Sequence, residues 1–439
     1  MNQAQILKSI PLPMAKIIVN LGLDRLLDGG FHHFSQQTVH EVLAQLTDNE
    51  ELQAVLAYNY GDYGMEPSRA PFLMHAIVMQ GYLNGAYYPN GGPSTIVRKI
   101  VQTINAYDGQ VLVKAPVQQI LVDEETGNKV VGVQMKDGKV IKAPVVCSDA
   151  GMVNTAKKLL PTPDMIDLDL SQYNHDIVFD KKLHSGSTGL NLFVGLQGTA
   201  DELNIPSCHY WIHPDQDLDW TADVGRSLTL NEALELEPEE WPGPLFVGFP
   251  CRKDQAWSEN HPNQVTVEVL TWSPWHWWEE FENAFDKKSQ SHGVKYEQAK
   301  ETISKKIWAR VAEVVNQSGA KLPRTLEKAD YHDMGTPLSY AHFLNADGGS
   351  FYALDHDRQR FLPKNYYLRL RPEIPEVPGL YLTGSDAMTL GFVGAMSGGL
   401  ICAQQVLGIH DPMMLLRKTV EYKISDDERS APDAVYTAV

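Results

Sequence analysis

The chain has 439 residues, 43% of them hydrophobic and 21% charged, a balance that supports a large folded core and argues against disorder. Thirty-seven basic against 55 acidic residues give a formal charge of −18, which repels phosphate backbones and makes nucleic acid a poor partner. Cys147, Cys208, Cys251 and Cys402 form no CxxC pair and are too sparse to staple a chain long enough for about two or three lobes.

The first residues lack the order of a secretory signal. Lys16, Asp24 and Arg25 interrupt the apolar residues of 9–30, well short of the roughly 20 needed to cross a bilayer. Met14, Ile17, Ile18 and Leu21 share a helical face. That face is predicted to pack on the core, with a membrane interface as the alternative. Residues 38–57 carry two helical stripes, Val39/Leu43/Leu46 and Leu52/Val55/Leu56, and 72–83 is apolar on nearly every side, as in a buried helix or a pocket wall. Gly91, Gly92 and Pro93 precede Ser94 and open a helix carrying Ile96, Ile100 and Ile104.

Residues 109–151 alternate branched apolar residues with turn pairs at Thr126-Gly127 and Asp137-Gly138, a β-meander that ends in a sharp turn at Asp149-Ala150-Gly151. A second sheet is predicted from 189–198, 244–251 and 263–273, where Val265, Val267 and Val269 alternate with polar neighbours. Ile303, Ile307, Val311 and Val315 mark a helix over 296–316, and the last strand, GLYLTG, ends at Gly384.

That strand leads into Gly384-Ser385-Asp386 and then a small-residue helix with Gly394, Ala395, Gly398 and Gly399, which Gly408 terminates. Polar atoms at a strand's carboxyl tip, followed by a helix start with unpaired N–H groups, favour an anionic or electron-rich ligand. Small residues at this spacing also let a backbone or a flat ring approach closely, so tight helix–sheet packing without a ligand is the competing explanation.

Residues 379–400, with YGDYGMEPSRAPFLMHAIVMQGYLNGAYYPNGGPSTI, VVCSDAG and FYALDHDRQR before them, resemble the carotenoid and retinoid oxidoreductases of the amine oxidase and phytoene desaturase superfamily, within it the retinol saturase family. The resemblance implies an α/β fold with an α+β substrate lobe, and FAD as cofactor. In it, Gly384, Ser385 and Asp386 bind the cofactor, Asp386 meeting the ribityl or pyrophosphate part of FAD. Main-chain atoms around Val393, Gly394 and Ala395 face the flavin ring, and the strand of Val117 lies near the adenine. The implied division is 1–90 helical, 91–160 flavin-domain meander, 161–345 substrate domain, 346–410 return to the flavin domain, and 411–439 tail. No GxGxxG turn occurs in the chain, so the resemblance is to the carboxy-terminal portion, without the βαβ unit that cradles the pyrophosphate. Ser385 stands where this family usually has glutamine.

The implied activity is saturation of one double bond of a retinoid or other polyene, with NAD or NADP as possible electron source and peripheral contact with the endoplasmic reticulum membrane. Tyr352 and His356 are the candidates for proton donation or substrate positioning, their catalytic role otherwise unknown. Trp272, Trp275, Trp277 and Trp278 are candidates for a lipid entrance, although four tryptophans in seven positions cannot all share one face. The alternatives are a carotenoid isomerase or desaturase and a non-catalytic form that cannot close its FAD site. Two further patterns rank low. Ser397 in AMSGG falls inside a helix rather than on a nucleophile elbow, and on an extended strand His209 and His213 lie roughly 13 Å apart, too far for zinc beside Cys208.

Overall fold

The computed structural model describes residues 8, 10–24, 30–83, 85–123, 125, 128–166, 186–215, 217–289, 291–409 and 437–438. Helix α1 (Leu12–Asn20) starts on Pro11 with a further proline in its first turn, where a fixed φ and a missing N–H cost least. It turns Leu12, Ala15 and Val19 inward and leaves Met14, Ile17 and Leu21 more than half exposed. Of the predicted core stripe only Ile18 packs against the core; α1 is apolar on two sides, and periodicity selects mostly the outward one.

Helices α2 (Phe31–Gln36), α3 (Val39–Leu46) and α4 (Glu50–Ala57) follow. Thr38 and Glu41 form a reciprocal capping box that fixes the start of α3. Val39 and Leu43 are buried, but Leu46, Leu52, Val55 and Leu56 are exposed, so the second stripe is also turned outward. Helix α5 (Phe72–Leu83) buries only Leu73, Met74 and His75. Helix α6 (Ser94–Ala106) forms as expected, burying Val101 and exposing Ile100 and Ile104.

Strands β1 (Val117–Asp123), β2 (Lys129–Met135) and β3 (Val140–Lys142) form an antiparallel meander. Gly138 makes the second turn with φ +88°, while Thr126-Gly127 lies outside the described residues. The chain then enters β4 (Val146–Ser148).

The second sheet contains β5 (Gly189–Gln197), β6 (Tyr210–Ile212), β7 (Leu245–Gly248), β8 (Gln264–Trp272) and β9 (Tyr331–Gly335), ordered β9-β5-β8-β7-β6 and antiparallel throughout. Helix α7 (Leu218–Ser227) lies between β6 and β7 in the chain, and α8 (Val294–Asn316) between β8 and β9. Alternation places Leu190, Leu192, Val194, Val265, Val267 and Val269 in one core with Ile303, Ile307, Val311 and Val315 of α8. Each such side chain contributes about 1.5–3 kcal/mol when fully buried. Trp278 belongs to this core and donates to Ser273 Oγ at 2.7 Å, which removes it from the entrance suggested by sequence.

Strand β10 (Leu380–Leu382) returns to pair with β4 in parallel, Leu380 opposite Val146 and Leu382 opposite Ser148. Helix α9 (Gly391–Leu407) follows, and Gly408 ends it at φ +63° as expected. Ser397 lies inside α9, away from any strand-to-helix turn. Among the described residues no helix is long and apolar enough to cross a membrane, and no cluster of His, Cys, Asp or Glu is placed to hold a metal.

Candidate active site

Because β4 and β10 are parallel and in register, their carboxyl ends arrive together, and Thr383 N–H donates to Ser148 O at 3.0 Å. Both strands then turn sharply. On the β4 side Gly151 has φ +85°, and on the β10 side Gly384 has φ +74°. A Cβ on Gly384 would collide with Asp149, and one on Gly398 of α9 with the main chain of Gly384. Glycine is required at 384 and 398 because helix and turn touch backbone to backbone, so close packing accounts for part of the glycine pattern. Gly394 is buried against the Thr389 carbonyl in the same way.

Asp386 ties the two turns together. Its Oδ2 accepts from Met152 N–H at 2.7 Å, and its Oδ1 accepts from Leu354 N–H at 3.1 Å. Arg360 stands behind it, 1% exposed, with Nη1 4.0 Å from Oδ1. The same guanidinium donates to Leu354 O at 2.9 Å and Ser385 O at 2.7 Å. Arg360 thus fastens the 350–360 loop to the Gly384 turn, a role that sequence reasoning missed although DHDRQR offers an arginine among carboxylates.

Above the turns lies a cavity of about 450 Å³ bordered by Asp149, Ser385, Asp386, Tyr352 and Ala395, within the range that holds a small molecule. The start of α9 reaches it through Gly391 and Phe392. No side chain caps that helix start, so its first N–H groups are available to an acceptor. Asn154 also borders the cavity, and its buried Oδ1 has no hydrogen-bond partner, which leaves an acceptor for a ligand's O–H or N–H. Among the described lining residues none is Lys or Arg. Burial first, and then the charge of Asp386, push the Asp149 carboxyl upward. Acceptors without cations suit polyol hydroxyls and a flat ring better than phosphates, so of the two contacts expected at Asp386 the ribityl one fits and the pyrophosphate one does not.

The predicted site residues divide. Ser385, Asp386, Ala395 and Tyr352 border the cavity, and Gly384 and Gly394 lie behind it as packing positions. Val393 is on the exposed face of α9, and Val117 begins β1 opposite Met135, 40% exposed; neither borders the cavity. Tyr352 donates its hydroxyl to Gly61 O at 2.8 Å, and burial above all raises its pKa, so it keeps its proton. His356 does not reach the cavity. Its Nε2 accepts from Leu390 N–H at 3.0 Å, immediately before α9. Burial first, then Arg360, hold its pKa well below the usual value, with a Leu354 main-chain hydrogen bond opposing. A neutral His356 orients the α9 start rather than donating a proton, which corrects the sequence expectation.

One pH effect follows. The unfolded ring takes a proton near 6.5, and the folded ring only well below that. Stability contributed by neutral His356 is therefore full above about pH 6.5 and is lost as the pH falls from there toward the folded value. Urea midpoints between about pH 8 and pH 5 are expected to fall less in His356→Gln, whose Oε1 can still accept the Leu390 N–H, than in the parent. Equal slopes would remove His356 from the account.

No family model matches the chain. It is 33% identical over 425 residues, 95% of its length, to all-trans-retinol 13,14-reductase from Danio rerio, and 33% identical over 407 residues, 92% of its length, to the Homo sapiens protein of that name. The chain is similar over nearly its whole length to all-trans-retinol 13,14-reductases. The mixed helix-and-strand architecture agrees with that expected from the sequence. The chain spans 65% and 62% of those relatives' own lengths. A Danio rerio member named as an inactive all-trans-retinol 13,14-reductase is 29% identical over 95% of this chain and 65% of its own. Phytoene desaturase from Phycomyces blakesleeanus is 24% identical over 38% of the chain and 27% of its own length. A putrescine oxidase variant overlaps 89% of this chain and 70% of its own at 9% identity, with a TM-score of 0.47, too loose to carry an assignment.

Proposed function

We propose that this chain, similar to all-trans-retinol 13,14-reductases, is part of an FAD-dependent oxidoreductase that saturates one double bond of a retinoid. The cavity where β4, β10 and α9 meet carries the proposal: it offers hydroxyl acceptors, an uncapped helix start and no cation. Asp386, Ser385 and Asn154 would hold the ribityl hydroxyls, and the first turn of α9 up to Ala395 would face the ring. When bound, a reduced flavin supplies hydride. Tyr352 borders the cavity while its hydroxyl is held by Gly61 O, so it shapes the wall. Phe351 and Leu354 exclude water from the same wall. NAD or NADP as the source of electrons, peripheral contact with the endoplasmic reticulum membrane and a retinoid or polyene substrate belong to this proposal.

The test is all-trans-retinol with FAD and a chemical reductant. The expected outcome is a product absorbing at shorter wavelength, because one double bond leaves the conjugated chain. Unchanged retinol beside bound, reduced flavin would contradict the proposal. The Danio rerio relative named as inactive favours a second reading, a non-catalytic form, which the same assay distinguishes.

A further inference from the structure

A pair of thiols joins the two elements that form the candidate cavity. Cys147 is the middle residue of β4, opposite Tyr381 of β10 and two residues before Asp149, which borders the cavity. Cys402 is a buried residue of α9, whose start supplies Gly391, Phe392 and Ala395 to the same cavity. Helix α9 crosses the end of β10 with Gly398 against the main chain of Gly384 and Gly399 facing Thr383. One helical turn beyond Gly398, Cys402 reaches β4, and the two thiols share a hydrogen bond. Both cysteines are free, Cys147 exposed and Cys402 buried.

This arrangement gives the two sulfurs different tasks. The Cys402 thiol donates to Cys147 and, with burial opposing, pushes its pKa down to about 7, so much of Cys147 is thiolate at neutral pH. The same hydrogen bond first, and then burial, raise the pKa of Cys402, which keeps its proton. An exposed thiolate attacks, and a buried thiol behind it resolves the mixed disulfide.

We propose that Cys147 and Cys402 form a reversible redox switch, in which a small oxidised disulfide such as oxidised glutathione links them and the linked form displaces the start of α9 from the candidate cavity. The Cys147 thiolate attacks the S–S bond of the reagent, forming a mixed disulfide and releasing one glutathione thiolate. Cys402 then attacks the Cys147 sulfur, and its proton leaves with the second glutathione as a thiol. The protein loses two electrons and the reagent gains them. Linking draws the sulfurs from hydrogen-bond contact to about 2 Å, which pulls the Cys402 end of α9 toward β4. The backbone contact between Gly398 and Gly384 cannot close further and acts as a pivot. At about 1.5 Å per residue, Cys402 stands about 6 Å to one side of it and Gly391 about 10 Å to the other. The start of α9 therefore moves outward, and the hydrogen bond from Leu390 N–H to His356 Nε2 is the first to give. The link rests on the placement of the thiols; its effect on cofactor affinity rests on the function proposed above.

The test is oxidised glutathione added to the protein, followed by acid quenching, proteolysis and mass spectrometry. In the parent, a Cys147–Cys402 link that dithiothreitol removes is expected. Cys402→Ala removes both the donor and the resolving thiol. There Cys147 is expected to keep glutathione, and the pH of half-maximal reaction rate to rise from about 7 to the ordinary thiol value of about 8.5. Amide hydrogen exchange over residues 390–396 is expected to speed up at least about tenfold in the linked parent and to stay unchanged in treated Cys402→Ala. An unreacted Cys147, glutathione that stays on Cys147 in the parent, or a link that leaves this exchange unchanged would overturn the inference. FAD affinity is expected to fall at least about tenfold in the linked parent and to recover with dithiothreitol. Link and exchange as described, with FAD affinity unmoved or absent throughout, would contradict the proposed function and leave the inference standing.

Discussion

Asp386→Ala is expected to destabilise the protein by about 3–5 kcal/mol, the range for removing one partner from a buried ion pair. Three consequences share that loss. Arg360, 1% exposed and 4.0 Å from Asp386 Oδ1, loses the nearby carboxylate. Met152 and Leu354 lose the acceptor for their main-chain N–H groups, and leaving a buried donor unmade carries its own desolvation cost. The 350–360 loop and the β4 turn also lose the side chain that joins them. Asp386→Asn keeps the shape and one oxygen, so its expected cost is about half that of alanine. Urea unfolding of the three proteins measures this. Alanine within about 1 kcal/mol of the parent would mean that Asp386 does not organise the site.

Gly398→Ala and Gly399→Ala are expected to behave oppositely although they are neighbours on α9. A Cβ on Gly398 would overlap the main chain of Gly384, which is itself held at φ +74° and cannot yield as a flexible side chain would. The expected cost is about 1–3 kcal/mol or more, with displacement of the α9 start. A Cβ on Gly399 would stand 3.7 Å from Thr383 Oγ1, an ordinary contact, so the gain of about 1 kcal/mol in helix propensity should survive. Thermal unfolding is the measurement. Equal effects in the two variants would show that α9 and the β10 turn are not in backbone contact.

What was legible from sequence depended on how local the determinant is. Strand β8 and helix α8 announced themselves because Val265, Val267 and Val269 repeat with period 2, and Ile303, Ile307, Val311 and Val315 with the helical period, and each set has a single buried face. The stripes on α1, α4 and α6 gave the elements, yet Met14, Ile17, Leu52, Val55, Ile100 and Ile104 are exposed, since periodicity identifies an apolar face and not what covers it. In the site, the glycines around Gly384 and the carboxylate of Asp386 lie within one stretch of chain and could be recognised there. Arg360, Asn154 and Asp149 could not be assigned, because their roles arise from approaches between distant segments, such as the Met152–Asp386 hydrogen bond across 234 residues. His356 was noticed for its chemistry, yet its role follows from burial and from Leu390, neither of which the sequence displays. Val117 lies apart from the candidate cavity, its place at the outer start of β1 set by the meander's register.

The central claim, that the cavity between the β4 and β10 turns and the start of α9 receives the flavin ring and ribityl chain, is tested most directly by titrating FAD into the parent protein and into Ala395→Trp. Ala395 borders that cavity and is half-buried on α9, so tryptophan there occupies the ligand's space while Asp386, Arg360 and Gly398 remain intact. Saturable quenching of flavin fluorescence by the parent, weakened at least about tenfold in Ala395→Trp, is the predicted result. Flavin that binds both proteins equally, or neither, would contradict it.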